Sequence, residues 1–322
     1  MDMWSEIEAN QVLKGSSKIG LFDSGVGGLS VLRELQSYAS SSGRNIEFVY
    51  VGDTARCPYG NRSTEEIRLF VEEIVLWLNE RKVDSIIMAC NTSAALALPF
   101  AKQISNVPVI DLIGPTASTV LNHATKIGVM ATAATVRSRA FSRAFTALND
   151  KAEIVELGCP DLVPIIEAGN IDRPETILVV RKYVDALKEA KVNAIILGCT
   201  HFPFLRKLIQ QLVGDDIYII DPAESITTES KGVLKRFLAE TTTDLSLNQD
   251  LSLNTDFYVT GSLAQFNKAA SKCLGQTINA TNNLSLGELA GTHARRFLTQ
   301  AANALNNSTN LAGSTLPQAA AS

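Results

Sequence analysis

Two cysteines carry the clearest chemical signal in the chain. Cys90 follows the apolar run Ile86-Ile87-Met88-Ala89 and precedes Asn91-Thr92, whereas Cys199 follows Ile195-Ile196-Leu197-Gly198 and precedes Thr200-His201. A single cysteine at the end of a strand is ordinarily a small buried apolar residue. Here both are followed at once by polar side chains, and both precede an expected helix N-terminus, which lowers a thiol pKa from about 8.5 and populates the thiolate. Two thiols facing one carbon suit reversible proton transfer at a stereocentre. One thiolate removes the α-proton, the opposite thiol supplies a proton to the other face, and the roles exchange in the reverse direction. Each thiol needs a neighbour for its proton: Asp23 is the candidate beside Cys90, and His201 the candidate beside Cys199.

Such a pair must be delivered by two equivalent elements, and the chain repeats itself accordingly. Cys199 stands 109 residues after Cys90 (199 − 90), and the same offset lays Leu78 on Leu187, Lys82 on Lys191 and Val83 on Val192. Offsets of 108 (127 − 19) and 106 (158 − 52) lay Ile19-Gly20-Leu21-Phe22 on Ile127-Gly128-Val129-Met130, and Val51-Gly52 on Leu157-Gly158. Matches in one order at nearly one spacing predict two related α/β lobes, and the period is too long for a solenoid. Strands alternate with helical patterns throughout, so mainly parallel sheets covered by helices on both faces are expected. In such sheets ligands bind beyond the carboxyl ends of the strands. If the lobes face each other across a pseudo-twofold axis, the two cysteines enter one cleft from opposite sides.

Composition narrows the class. A chain of 322 residues, 46% of them hydrophobic, buries a full core and has the length of two domains. Its formal charge of −4 comes with no basic block, which argues against nucleic acid or an anionic membrane surface as partner. No apolar run reaches membrane-spanning length, and Met1 to Ser17 lacks a signal-like apolar core, so a cytoplasmic protein is expected. Five cysteines without C-x-x-C spacing fit reduced thiols, and with three histidines metal ligands are few, so no metal site is expected.

The other polar clusters also follow expected strands. Asp23-Ser24-Gly25-Val26-Gly27-Gly28 reads as a strand, glycine turn and helix N-terminus that offers backbone N–H groups to a phosphate or carboxylate. The dinucleotide fingerprint is only half met, because Ser30 stands where Gly or Ala belongs. Gly52-Asp53-Thr54-Ala55-Arg56-Cys57-Pro58-Tyr59-Gly60 is a long polar loop in which Asp53 also suits a turn residue bonded to its own backbone. Ser63 to Glu66 forms a capping box for the next helix. In the second half, Ala131 to Thr135 reads as a turn leading into one helix through Leu148.

Together, Asp23 to Gly28, Gly52 to Gly60, Ala89-Cys90-Asn91-Thr92 and Gly198-Cys199-Thr200-His201 closely resemble the glutamate racemases of the aspartate/glutamate racemase family. The resemblance runs from about Lys18 to Thr299. It implies two α/β lobes with the active site in the cleft between them, and cofactor-independent interconversion of L- and D-glutamate for peptidoglycan. It further implies Cys90 and Cys199 as acid/base residues assisted by Asp23 and His201, with Asp53 and Glu167 as further acidic residues near the site. Substrate contacts are implied for Asp23, Ser24, Tyr59, Gly60, Asn91, Thr92, Thr132, Thr135, Thr200 and His201, donors that hold two carboxylates without a dedicated arginine. A homodimer is expected. The domain reading is a mobile extension over 1–17, a first lobe from 18–113 with 224–305, an exposed insertion at 240–255 within it, a second lobe over 114–223, and a disordered tail from 306 to 322. Two other readings stay open: an aspartate or hydantoin racemase, and a two-lobed phosphate-binding module with inert cysteines.

Overall fold

The computed structural model describes residues 17–41, 45–121, 124–149, 151–228, 254–296 and 298. The expected N-terminal extension (Ser17 excepted), the 240–255 insertion (Asn254 and Thr255 excepted) and the tail lie outside the described residues. Ser17 opens the first strand and Thr255 opens a later one, so both belong to the sheet.

Among the described residues, ten strands and eleven labelled helices follow one another in a largely alternating order. The first lobe begins with β1 (Ser17–Asp23), α1 (Leu29–Ser41), β2 (Ile46–Gly52), α2 (Thr64–Glu80), β3 (Ser85–Met88), α3 (Asn91–Ile104) and β4 (Val109–Asp111). After α4 (Ile113–Val120), the second lobe runs through β5 (Lys126–Ala131), α5 (Ala133–Ser138), α6 (Ala140–Leu148), β6 (Glu153–Gly158), α7 (Leu162–Glu167), α8 (Pro174–Glu189), β7 (Ala194–Gly198), α9 (Arg206–Val213) and β8 (Tyr218–Ile220). The chain then continues through α10 (Pro222–Thr228), β9 (Thr255–Val259), α11 (Leu263–Leu274) and β10 (Asn282–Asn283). Residues 286–296 are helical. Among the described residues no helix is long and apolar enough to cross a membrane.

The strands assemble as a six-stranded sheet, β10-β9-β2-β1-β3-β4, and a four-stranded sheet, β6-β5-β7-β8, with every pairing parallel. Parallel strands covered on both faces are near-continuously apolar, as in Ile86-Ile87-Met88 and Ile195-Ile196-Leu197, all fully buried. Burying each such side chain contributes roughly 1.5–3 kcal/mol.

The internal repeat is borne out in atomic detail. Order β2-β1-β3-β4 in one sheet corresponds to β6-β5-β7-β8 in the other. Lys82 and Lys191 leave their helices with φ of 56° and 57°. The Lys18 amide donates to the Asp84 carboxylate at 2.7 Å, and its counterpart Lys126 donates to the Asn193 side chain at 3.2 Å. Leu78 and Leu187 press equally on Gly20 and Gly128, where an added Cβ would lie 3.0 Å from each leucine. A larger residue at either glycine would lift the helix from its strand.

Local signals explain most helix ends. Ser63 and Glu66 form the reciprocal capping box of α2, whose buried face (Ile67, Phe70, Val71, Ile74, Leu78) follows helical spacing. Pro174 opens α8, where its missing N–H costs nothing. One expectation fails. The helix through Leu148 begins earlier, at Ala133, and is broken at Arg139, whose left-handed φ of 56° separates α5 from α6. Ser138 caps the second segment by accepting the Ala140 N–H at 3.2 Å, an alternative bonding that helix periodicity does not reveal.

Asp221, just after β8, sits buried with its carboxylate accepting the Ala223 N–H at 2.9 Å. Burial, with the charge of Glu224 added, pushes its pKa up to about 6. The folded state therefore holds this proton more tightly than the unfolded chain, and stability from this group falls as pH rises from about 4 to 6. Asp221→Asn, which keeps an acceptor oxygen, is expected to raise unfolding free energy by roughly 2 kcal/mol at pH 7.5 and to give no gain near pH 4. Urea denaturation at the two pH values checks this; equal or lower stability at pH 7.5 contradicts it.

Candidate active site

All the chemical clusters converge on the carboxyl edges of the two sheets. β1 ends at Asp23, β2 hands over to Asp53, and Cys90 lies just beyond β3 as the N-cap of α3. On the other lobe β5 leads to Thr132, the N-cap of α5, and β7 to Cys199. Between them lies a tight cleft, with only about 10 Å³ of open space, lined by Ser24, Tyr59, Gly60, Cys90, Asn91 and Thr92 from one lobe and Thr132, Cys199, Thr200 and His201 from the other. Both sulfurs thus face one space. Pro58 and Val163 complete the lining; neither carries a polar side chain, so sequence reasoning based on chemistry passed over them.

The four expected residues outside the lining stand one hydrogen bond behind it. Asp23 is fully buried, accepts the Gly25 N–H at 2.8 Å and accepts the Thr200 hydroxyl at 2.9 Å. Glu167 Oε1 lies 2.5 Å from His201 Nε2. Thr135 lies 3.0 Å from Thr132 and 3.3 Å from Thr92, which is itself 3.0 Å from Thr132. These three hydroxyls form a closed ring between the lobes. Asp53 accepts the Tyr59 hydroxyl; its carboxylate bonds to Arg56, Tyr59 and Thr260 rather than to its own backbone.

The glycine turn has a steric reason beyond anion binding. A Cβ on Gly25 would lie 2.7 Å from Glu167 Oε1, and one on Gly27 would lie 2.8 Å from His201 Nδ1. Side chains of the second lobe fill the space against this turn, so its glycines allow the lobes to close. That contact weighs against the open phosphate cradle of the binding-module reading.

Electrostatics distinguish the two thiols. Cys90 is buried, with its sulfur 3.9 Å from the Ser24 hydroxyl. Burial first, and the Asp23 charge second, push its pKa up to about 12. The expected thiolate at the α3 N-terminus is therefore corrected: desolvation outweighs the helix end, and Cys90 holds its proton. Cys199 is followed by a short 3-10 turn, Phe202–Leu205, rather than directly by an α-helix. His201 Nδ1 lies 3.9 Å from the Cys199 sulfur. Burial opposes charge on His201, yet hydrogen bonds to Cys199 and Glu167 overcome it and hold its pKa well above the ordinary value. Burial opposes charge on Glu167, yet the hydrogen bond and charge of the same histidine hold its pKa below the ordinary carboxylate value. Burial raises Asp23 despite the opposing His201 charge and its Gly25 and Thr200 bonds.

Asn91 is only 2% exposed, and neither polar atom of its side chain has a hydrogen-bond partner among the described residues. A buried unpaired amide costs about 1–3 kcal/mol, and this one lines the cleft. The arrangement is a small, closed chamber lined by hydroxyl and amide side chains and by one cysteine from each lobe.

Comparison with known proteins agrees with this geometry. The family model described as Asp/Glu/Hydantoin racemase matches residues 19–229. A glutamate racemase from Prochlorococcus marinus (strain NATL2A) is 38% identical over 253 residues, covering 78% of this chain and 91% of its own. One from Synechococcus sp. (strain CC9605) is 42% identical over 217 residues, covering 67% and 80%. The crystal structure of a Bacillus anthracis glutamate racemase isoform matches with a TM-score of 0.74 at 32% identity, over 84% of this chain and 98% of that one. The Francisella tularensis glutamate racemase, solved in complex with D-glutamate, matches with a TM-score of 0.72 at 30% identity, over 84% and 97%. With its paired thiols, its repeated lobes and these relatives, the chain belongs to the Asp/Glu/hydantoin racemase family and stands among its glutamate racemases.

Proposed function

We propose that this protein interconverts L- and D-glutamate by proton transfer between Cys90, Cys199 and the substrate α-carbon, supplying D-glutamate for peptidoglycan. The observation that carries the reading is the presence of one thiol from each lobe in a single polar cleft. A substrate held between them presents opposite faces of its α-carbon to the two sulfurs, so neither thiol has to move across the plane of the intermediate. The burial that raises the Cys90 pKa also makes its conjugate thiolate a stronger base, which matches it to a weakly acidic α-proton. No step in this scheme is assigned to a cofactor.

The remaining residues divide by distance from the substrate. Ser24, Tyr59, Gly60, Asn91, Thr92, Thr132 and Thr200 supply hydroxyl, amide and backbone groups for the carboxylates and the amino group. The unpaired Asn91 amide supports carboxylate binding, because its N–H groups have no partner among the described residues and a carboxylate accepts them. His201 shares the Cys199 proton. Glu167, Asp23, Asp53 and Thr135 act as positioning residues through His201, Thr200, Tyr59 and Thr132. Residues 18–113 with 224–305 form one lobe in this reading and 114–223 the other. The strands of the six-stranded sheet fall in the first set and those of the four-stranded sheet in the second. A homodimer in the cytoplasm completes the proposal, supported by the need to keep both thiols reduced.

The purified protein, with no cofactor added, is expected to abolish the optical rotation of L-glutamate. Cys90→Ser and Cys199→Ser are each expected to lower racemisation by at least about 10²-fold with the fold retained. Near-parent rates in both variants contradict the two-thiol scheme, and turnover of aspartate or a hydantoin instead of glutamate contradicts the substrate. A second expectation concerns the proton on His201. Glu167→Gln removes the carboxylate that holds this proton, so the His201 titration midpoint, followed by NMR in a chain with three histidines, is expected to fall toward about 6.5. An unchanged midpoint contradicts the coupling.

A further inference from the structure

Behind the cleft, the loop that brings Tyr59 and Gly60 to the substrate is fastened through Asp53 by two further buried charges, Arg56 and Glu73, that have no role in the scheme above. Asp53 is fully buried. One of its oxygens accepts from Arg56 Nε at 2.7 Å and from the Tyr59 hydroxyl; the other accepts from the Thr260 hydroxyl at 2.8 Å. Thr260 in turn accepts the Ala55 N–H at 3.0 Å, which ties the start of the loop to the end of β9. Arg56 also donates through Nη1 to Glu73, seventeen residues onward in the middle of α2. Its guanidinium carbon lies 4.2 Å over the centre of the Phe70 ring, and Phe70 packs against the Tyr59 ring at 5.6 Å. The side chains of Arg56 and Glu73 are 10% and 9% exposed.

Two carboxylates therefore share one guanidinium in a dry setting. Such an arrangement is poor value as a source of stability, because desolvating the charges offsets most of their attraction, whereas its geometry is stiff and directional. Its line of contact runs from Glu73 through Arg56 and Asp53 to the Tyr59 hydroxyl, and Tyr59 lines the cleft beside Gly60 and Cys90. We propose that Glu73 and Arg56 are positioning residues for the racemisation, holding the Tyr59-Gly60 wall of the cleft at the distance that aligns the substrate with the two thiols. This deepens the racemase reading and rests on it. In the sequence Glu73 stands beside Glu72, and only the fold shows which of the two joins the buried face of α2 with Phe70, Val71 and Ile74.

The test is a double-mutant cycle on the full chain with parent enzyme as control. Glu73→Gln, which keeps an acceptor but removes the charge, and Tyr59→Phe, which cuts the bond to Asp53, are each expected to lower kcat/KM roughly tenfold, mainly through KM, at temperatures well below melting. Because both cut one line of contact, the double variant is expected to lose far less than the product of the two single losses. A folded Glu73→Gln within about twofold of the parent, or losses that multiply, overturns the assignment. A purely structural role would lower the melting temperature and leave KM unchanged. If Glu73→Gln does not fold, Glu73→Asp, which keeps the charge but withdraws it by one methylene, takes its place with the same expected signs. Absence of racemisation by the parent would instead refute the racemase reading itself.

Discussion

The hydrogen bond from the Thr200 hydroxyl to the Asp23 carboxylate is the contact on which the site depends. It joins the end of β1 to the residue after Cys199, so it ties the strand end that carries the second thiol to the lobe that carries the first. Around it the lobes meet through further polar groups: the ring of Thr92, Thr132 and Thr135, and the glycine turn against Glu167 and His201. The lobes also share one buried apolar cluster, which includes Ala97 and Ala101 of α3 with Phe141 and Phe145 of α6, but dispersion contacts are non-directional and leave the register unspecified. Hydrogen bonds at fixed length define it. Two-sided proton transfer needs that definition, because the reacting carbon must lie between the sulfurs.

The repeat supplies symmetry of placement and not of environment. Cys90 caps a fourteen-residue helix beside Asp23 and Ser24, whereas Cys199 precedes a short 3-10 turn and pairs with His201. Two related halves thus present sulfurs from opposite sides while handling their protons differently. On one side burial and a nearby carboxylate keep the proton on sulfur; on the other the sulfur lies 3.9 Å from an imidazole that Glu167 backs. A substrate carbon in the middle would meet two sulfurs set in different surroundings.

Much of this was legible in the sequence because it is written in local patterns. The offset of 109 between the cysteines located equivalent strands, and apolar runs ending in polar residues located their carboxyl ends. The capping box at Ser63 marked a helix start that the structure retains. What stayed hidden depends on contacts distant in sequence. Asp53 looked like a turn residue or a member of the acid/base set, and only the fold brings Thr260 to its second oxygen. The thiolate expected at Cys90 followed from the helix end alone; the depth of burial that overrides it is a property of the assembled lobes. Arg139 broke an expected helix because a left-handed residue there leaves no trace in hydrophobic spacing.

The central claim, that one thiol removes the proton and a different thiol delivers its replacement, is tested most directly by isotope placement. L-glutamate is turned over in deuterated water, the reaction is stopped at low conversion, and α-deuterium is measured separately in the D-glutamate formed and in the L-glutamate recovered. The account predicts deuterium in nearly all of the product and protium in nearly all of the recovered substrate, because the proton taken by one sulfur returns only to the face it left. Product that keeps the substrate's own proton, or equal labelling of both enantiomers from the start, would show a single base serving both faces and contradict the account.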